Sequence, residues 1–308
     1  MTAGGPIFQQ DSALSLEGAT GTVALLGGRG LGDNLIEMVL AHNARRRGYR
    51  VTMYSDVLYP LAAWFPQHRM QPSLAPDRMA AALRGYDIIL EPKLPKIPLA
   101  PPLQERWINY ETMYRDDRTQ VENMVAISGQ VFNEPLPAAG NDIVAPDHLQ
   151  HRRFPRRVCL HPTSAELSKN WLPDRFLRLA GRLRQAGFEI TFIMTEQETE
   201  AWNRDINGLF PLKGFASVAD CASFVYESGF FIGNDSGGGH LASCLGIPTV
   251  SIHGRKGKAV RWRPGWGEVE VVTPRINLVG SFLRQHYWKY FLSVAMVERS
   301  FMHLARRC

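Results

Sequence analysis

The chain has 308 residues, 45% of them apolar and 21% charged, an ordinary composition for a soluble protein of two domains of about 150 residues each. A net charge of +6 suits phosphorylated ligands, an anionic membrane face or nucleic acid, or simply a solvated basic surface, and does not choose among them. Cys159, Cys221, Cys244 and Cys308 stand far apart with no C-x-x-C pair, which removes support for zinc or dithiol redox chemistry and fits reduced thiols.

The first twenty residues carry neither a basic nor an apolar region of a secretory signal and read as a short flexible tail. No stretch reaches the roughly 20 apolar residues of a spanning helix, so the expectation is a cytoplasmic protein, soluble or peripheral. Thr22–Leu26 reads as a strand, Gly27–Gly32 as a glycine turn, Asp33 to about Arg47 as a helix ended by Gly48, and Tyr49–Tyr54 as a second strand. This is a βαβ unit with parallel strands. Pro76–Arg84 then reads as helix and Tyr86–Leu90 as strand. The segment 91–102 is proline-rich, and helical stretches fall between Trp107 and Val131.

Prolines and the basic cluster His151–Arg157 mark a linker over Pro135–Arg157, which divides the chain into residues 1–150 and 151–308. After it the alternation restarts: strand Val158–His161, helix Pro173–Ala186, strand Glu189–Ile193, helix Ser217–Tyr226, strand Phe230–Ile232, helix Gly239–Leu245 and strand Ile247–Ile252. Phe282–Arg307 reads as a terminal helix with a broad apolar side, packed on the protein or laid on a membrane surface.

Three corners concentrate polar and glycine residues. Gly28-Arg-Gly-Leu-Gly32-Asp33 fails the dinucleotide fingerprint and lacks a P-loop lysine. As a helix cap Asp33 needs no further role, but a carboxylate at the end of a first strand faces the ligand crevice of an α/β fold and there can take a proton from a hydroxyl. After the strand at 158–161, Thr163, Ser164, Ser168 and Lys169 suit phosphate oxygens. Asp235-Ser236-Gly237-Gly238-Gly239-His240 opens a helix, where amides and the helix dipole suit a diphosphate.

The run Asp235–Gly246-Ile-Pro-Thr-Val resembles the D-[ST]-G-x-x-H-L-A-x-x-L-G-x-P signature of glycosyltransferase family nine, the heptosyltransferases. His161-Pro-Thr-Ser, with Lys169-Asn-Trp171-Leu-Pro173 and Phe176, is similar to that family's H-P-G-S…K-x-W-P-x-E-x-F segment, and Gly32-Asp33-Asn-Leu35 to its N-terminal turn. The resemblance covers about 22–50 and 158–254. It departs at Thr163 and at Arg255-Lys-Gly-Lys258, and it leaves 55–155, where the acceptor should bind, without a match. It implies an α/β GT-B fold: two Rossmann-like domains facing a central cleft, an acceptor side in 1–150 and a nucleotide-sugar side in 151–308. It implies inverting transfer of a sugar, a heptose in that family, from an ADP-sugar to a lipopolysaccharide-core or other cell-surface glycan or glycolipid, at the inner membrane face. Asp33 would be the base and Lys169 the diphosphate's counter-charge. Thr163, Ser164, Asp235, Ser236, Gly237, Gly238, Gly239 and His240 would line the donor. No cofactor or metal is expected, the DxD motif being absent, and no nucleic-acid-binding module is evident. The alternatives are a related transferase with a protein acceptor and a non-catalytic scaffold that binds a nucleotide or a partner.

Overall fold

The computed structural model describes residues 20–93, 101–275 and 287–308. The expected N-terminal tail, most of the proline-rich segment and the start of the expected terminal helix lie outside them. The described residues form two α/β units, each built on a wholly parallel sheet.

The first sheet holds β1 (Gly21–Leu26), β2 (Tyr49–Tyr54), β3 (Arg69–Gln71), β4 (Ile88–Glu91) and β5 (Trp107–Asn109), in the order β3-β2-β1-β4-β5. Helices α1 (Leu31–Arg46), α2 (Pro76–Leu83), α3 (Pro101–Gln104) and α4 (Gln120–Phe132) connect or cover it. The second sheet holds β6 (Phe154–His161), β7 (Glu189–Thr195), β8 (Leu212–Phe215), β9 (Ser228–Asn234), β10 (Thr249–Ile252) and β11 (Val269–Val272), in the order β11-β10-β9-β6-β7-β8. Its helices are α5 (Pro173–Gln185), α6 (Glu196–Ile206), α7 (Val218–Tyr226), α8 (Gly237–Cys244), α9 (Lys256–Trp262) and, at the C-terminal end, α10 (Val294–Ala305).

Both sheets begin in the middle, wind outward, and return to the other side of their first strand. The return makes β1/β4 and β6/β9 neighbours. These are the topological switch points, beside which the loops leaving the strands' carboxyl ends diverge and open a crevice. The apolar composition of the central strands follows from covering both sheet faces: β9 is buried along its whole length and β1 over its last four residues.

The two units are not separate cores. Leu35, Met38 and Val39 of α1 belong to the same buried cluster as Leu241, Ala242 and Leu245 of α8. Further ties cross the interface. Trp266 donates its indole N–H to the Ala139 carbonyl at 2.6 Å, Asn141 donates to Cys244 Sγ at 3.0 Å, and Arg261 pairs with Asp116 at 2.6 Å.

Several expectations need correction. Asp33 is not the cap of α1: Gly30 is, with extended φ and ψ, and Asp33 lies in the first helical turn. Within the stretch expected to be helical, Trp107–Asn109 is a strand, because Ile89–Glu91 of β4 offers it a parallel partner. The basic segment at which the resemblance departs, Arg255–Lys258, caps and begins α9. The terminal helix starts only at Val294, capped by Ser293, whose hydroxyl accepts the Met296 N–H at 3.3 Å. The arginines near 152–157 are packed: Arg152 lies over Phe230, Arg156 over Phe188, and Arg157 between Phe154 and Phe224 at 4.2 and 3.9 Å. Such stacks hold these arginines to the fold.

Candidate functional site

The β1–α1 corner is shaped by a side chain of its own helix. Asn34, fully buried, donates to the carbonyls of Gly28 at 2.9 Å and Gly30 at 2.7 Å. Gly27 is required beneath it, since a Cβ there would overlap Asn34 Oδ1. The turn so clamped sets the direction of α1 and leaves Asp33 exposed on the cleft side of its first turn.

Lys169 closes a short 3-10 turn, Leu167–Lys169, after β6. Three contacts fix that turn. Trp171, 1% exposed, gives its backbone N–H to Asn234 Oδ1 at 3.1 Å and its indole N–H to the Leu292 carbonyl at 3.0 Å. Trp288 donates its indole N–H to the Ser168 carbonyl at 2.9 Å. Asn234, also buried, donates to the Pro162 carbonyl at 2.6 Å. Burial of an indole of this kind stabilises by roughly 1.5–3 kcal/mol, so the lysine's backbone has a rigid seat although its side chain reaches out. Its Nζ lies 3.4 Å from Asp235 Oδ2.

Asp235 stands at the end of β9, its backbone N–H donated to the Ile252 carbonyl. Ser236 caps α8 with extended backbone and no capping bond from its side chain, and its Oγ lies 3.4 Å from His161 Nδ1. Gly237, Gly238 and Gly239 form the first turn of α8. They are not equivalent. A Cβ at Gly237 would come within 2.8 Å of the Leu31 Cβ and 3.1 Å of the Gly32 nitrogen, whereas one at Gly239 would meet nothing closer than 3.7 Å. The glycine expected to approach a ligand is therefore required, at Gly237, by the approach of α1. Reciprocally, a Cβ on Gly32 would lie 2.7 Å from the His240 ring. The N-terminal turns of α1 and α8 thus meet, and Asp33, Lys169 and Asp235 act on one another electrostatically.

Thr163 and Ser164 divide. Thr163 is buried with no hydrogen-bond partner for its hydroxyl among the described residues. Ser164 instead bonds within its own loop, to the Glu166 carbonyl and to Asn170 Oδ1. His240 is buried with Nδ1 unpartnered among the described residues.

Although Asp33 is exposed at its surface, the surrounding protein partly desolvates its carboxyl and raises it above the ordinary range; Lys169 pulls it back down, and Asp235 pushes it up. Burial drives His240 down to about 4 and lowers His161 and His253 as well. These three rings are neutral at pH 7, so the positive charge within this group is that of Lys169. Sequence reasoning missed Asn34, Asn234 and His253. His253 is 1% exposed, lies 3.8 Å from Asp235 Oδ2, and is bonded through Nε2 to Ser251 at 2.9 Å. The signals were faint: Asn34 and Asn234 stand beside the carboxylates Asp33 and Asp235, and His253 follows the last residue of β10. Among the described residues no group of three or more His, Cys, Asp or Glu side chains could hold a metal ion, and no helix is long and apolar enough to cross a membrane.

Comparison with known proteins adds to this geometry. A family model described as glycosyltransferase family 9 (heptosyltransferase) matches residues 103–278. Lipopolysaccharide heptosyltransferase 3 of Escherichia coli K12 is 25% identical over 118 residues, 36% of this chain and 34% of that protein. The match therefore spans about a third of that relative's length. Among solved structures, E. coli ADP-heptose lipopolysaccharide heptosyltransferase II superimposes with a TM-score of 0.72 at 15% identity, covering 93% of this chain and 99% of that one. The E. coli heptosyltransferase WaaC with ADP gives 0.68 at 14% identity, with 92% and 99% covered. At these identities the structural likeness is one of fold: two Rossmann-like units in the GT-B arrangement.

Proposed function

The chain belongs to glycosyltransferase family 9, the heptosyltransferases, and from that premise we propose that it moves a heptose from an ADP-activated donor, with inversion, onto a hydroxyl of a lipopolysaccharide-core or other cell-surface glycan. The observation that carries this reading is the meeting of the two helix N-termini, with Asp33 on one wall and the Lys169–Asp235 pair, 3.4 Å apart, on the other.

In this reading Asp33 removes the proton from the acceptor hydroxyl as its oxygen attacks the anomeric carbon. The bond from that carbon to the diphosphate oxygen breaks, and ADP departs with the electron pair. Lys169 and the amides of the first turn of α8 face the charge that develops on the diphosphate. Thr163 and His240, each with an unpartnered polar atom in a buried setting, supply hydrogen bonds to the donor. His253 supports Asp235 from behind. The leaving charge is carried by side chains and amides. A glycolipid acceptor would bring the protein to the cytoplasmic side of the inner membrane as a peripheral enzyme.

Calorimetric titration with ADP, UDP, GDP and an ADP-sugar, repeated on Lys169→Ala, tests the donor half. Selective binding of the ADP forms, weakened in the variant, is the expected result; preference for UDP or GDP overturns the ADP-heptose assignment. Asp33→Ala should bind donor normally and lose about 10²–10⁴-fold in transfer rate, the range for a positioned base. Full turnover by that variant refutes the role of Asp33.

A further inference from the structure

The first switch point has a floor that the transfer mechanism does not use. Glu37 follows Asp33 by one turn of α1, so both carboxyls lie on one helix face. Glu37 is 4% exposed, and its Oε2 accepts the Gly28 N–H at 3.4 Å. Four groups from three other places face it. They are the Gly28 amide in the β1–α1 turn, Glu91 at the end of β4, and Tyr110 and Tyr114 beyond β5. The Tyr110 hydroxyl and Glu91 Oε2 are buried and meet no partner within ordinary hydrogen-bond geometry among the described residues. Among the described residues Glu37 makes no ion pair, and its strongest electrostatic neighbours include no cation.

Three carboxyls within electrostatic reach and without a cation at the floor cannot all be charged. Asp33 opens to the cleft and feels Lys169; Glu37 has neither solvent nor counter-charge. We propose that Glu37 is a positioning residue for Asp33: a buried acid that keeps its proton, holds the Gly28 amide of the turn, and leaves Asp33 as the charged carboxylate of α1. Burial, the largest influence, pushes Glu37 up to about 8, with Asp33 and Glu91 adding to the rise and the Gly28 amide opposing it. Were Glu37 ionised at neutral pH, its charge would drive Asp33 toward its protonated form, which cannot take a proton from a hydroxyl.

The inference rests on the reading of Asp33 as the base, and the test separates the two. Carboxyl ¹³C NMR of the free protein, labelled at Glu and Asp, follows each group without any substrate. The Glu37 and Asp33 signals are assigned by their loss in Glu37→Gln and Asp33→Asn. Glu37 is expected to titrate near 8. The Asp33 signal should show a second inflection at the same pH, absent in Glu37→Gln, while its own midpoint stays where it was. A Glu37 signal titrating at 4–5, or an Asp33 midpoint that falls in Glu37→Gln, overturns the inference. Should Glu37→Gln fail to fold, Glu91→Gln serves in its place. Loss of that neighbouring negative charge must move the Glu37 inflection below that of the wild type, and an unmoved inflection counts against the proposal. Undiminished turnover by Asp33→Asn would instead sink the base and leave the Glu37 titration as measured.

Discussion

Substituting Gly32 by alanine puts one methyl group into the contact between α1 and α8. The added Cβ would stand 2.7 Å from His240 Cδ2 and 3.2 Å from Cγ. Carbon atoms rest at about 3.5–4.0 Å, so roughly 1 Å of space has to be found. The His240 ring is 4% exposed and cannot swing into solvent. On the other side, Gly237 already lies against Leu31 and the Gly32 nitrogen. Either the ring is displaced within the donor wall or the two helices separate.

Two effects on stability oppose each other. Alanine in place of a helical glycine favours the fold by about 0.5–1 kcal/mol, and overpacking a filled contact costs about 1–3 kcal/mol. The net loss is therefore small, about 1–2 kcal/mol, and is smaller still if the helices part. Activity is the sharper readout, because misplacement of about 1 Å at a reacting centre costs on the order of 10²-fold. Gly181→Ala in α5 is the control: a Cβ there meets nothing within 4 Å, so only the favourable helix term remains. Urea unfolding and transfer kinetics on both variants decide the matter. Gly32→Ala with kcat/KM within threefold of wild type and unchanged stability would refute the claim that this contact holds the site.

Three further outcomes are expected. Lys169→Met removes the cation that lowers Asp33; because Asp33 acts as the ionised form, the acid limb of the kcat/KM–pH profile should move to higher pH, and an unmoved limb counts against their pairing. Asn234→Ala strips partners from the Trp171 N–H and the Pro162 carbonyl, so a loss of about 2–4 kcal/mol in urea unfolding is expected, one to two kcal/mol or more for each orphaned group, together with weaker donor binding. Asp142 accepts from Arg45 through both oxygens at 2.9 Å, and His42 and His68 each approach it at 2.8 Å. Burial opposes its charge, but the His68, Arg45 and His42 hydrogen bonds outweigh burial and hold it well below the carboxylate range. Its stabilisation is thus complete above the unfolded value, about 3.9, and fades as pH falls toward the folded one. Asp142→Asn, which tolerates the left-handed φ of 57°, should cost about 3 kcal/mol at pH 7. That deficit should narrow below pH 4 in denaturation measured across pH.

The residues proposed for the donor half could be named from the sequence because they are contiguous. Asp235–His240 lies at one strand end, and Lys169-Asn-Trp171 follows one strand. What escaped is set by partners distant in the chain. Asn34 and Asn234 look like polar interruptions until the carbonyls of Gly28, Gly30 and Pro162 are seen in front of them. The arginines of 152–157 look like a free basic patch until Phe188, Phe224 and Phe230 arrive beneath them. Trp107–Asn109 has no pattern of its own and becomes a strand through β4. Tertiary pairing overrode local preference there. α6, β8 and β11 were not read, the two strands being four residues each, too short for periodicity to speak. Glu37 was passed over because a helix tolerates a glutamate anywhere, and only burial reveals that this one has no counter-charge.

The charges at the cleft explain why a chain of net charge +6 does not present a basic trough here. Each helix N-terminus contributes about half a positive charge, and α1 and α8 bring two together. Lys169 adds one more. Asp33 and Asp235, one beside each helix end, cancel that total to about zero. A diphosphate drawn in only by bulk attraction would find little to hold it. Recognition must then depend on direction: amides aimed from the first turn of α8, and a Lys169 that exchanges Asp235 at 3.4 Å for phosphate oxygens. The neutral state of Glu37 belongs to the same balance. A third negative charge beneath Asp33 would protonate the base or repel the donor, and the buried proton prevents both.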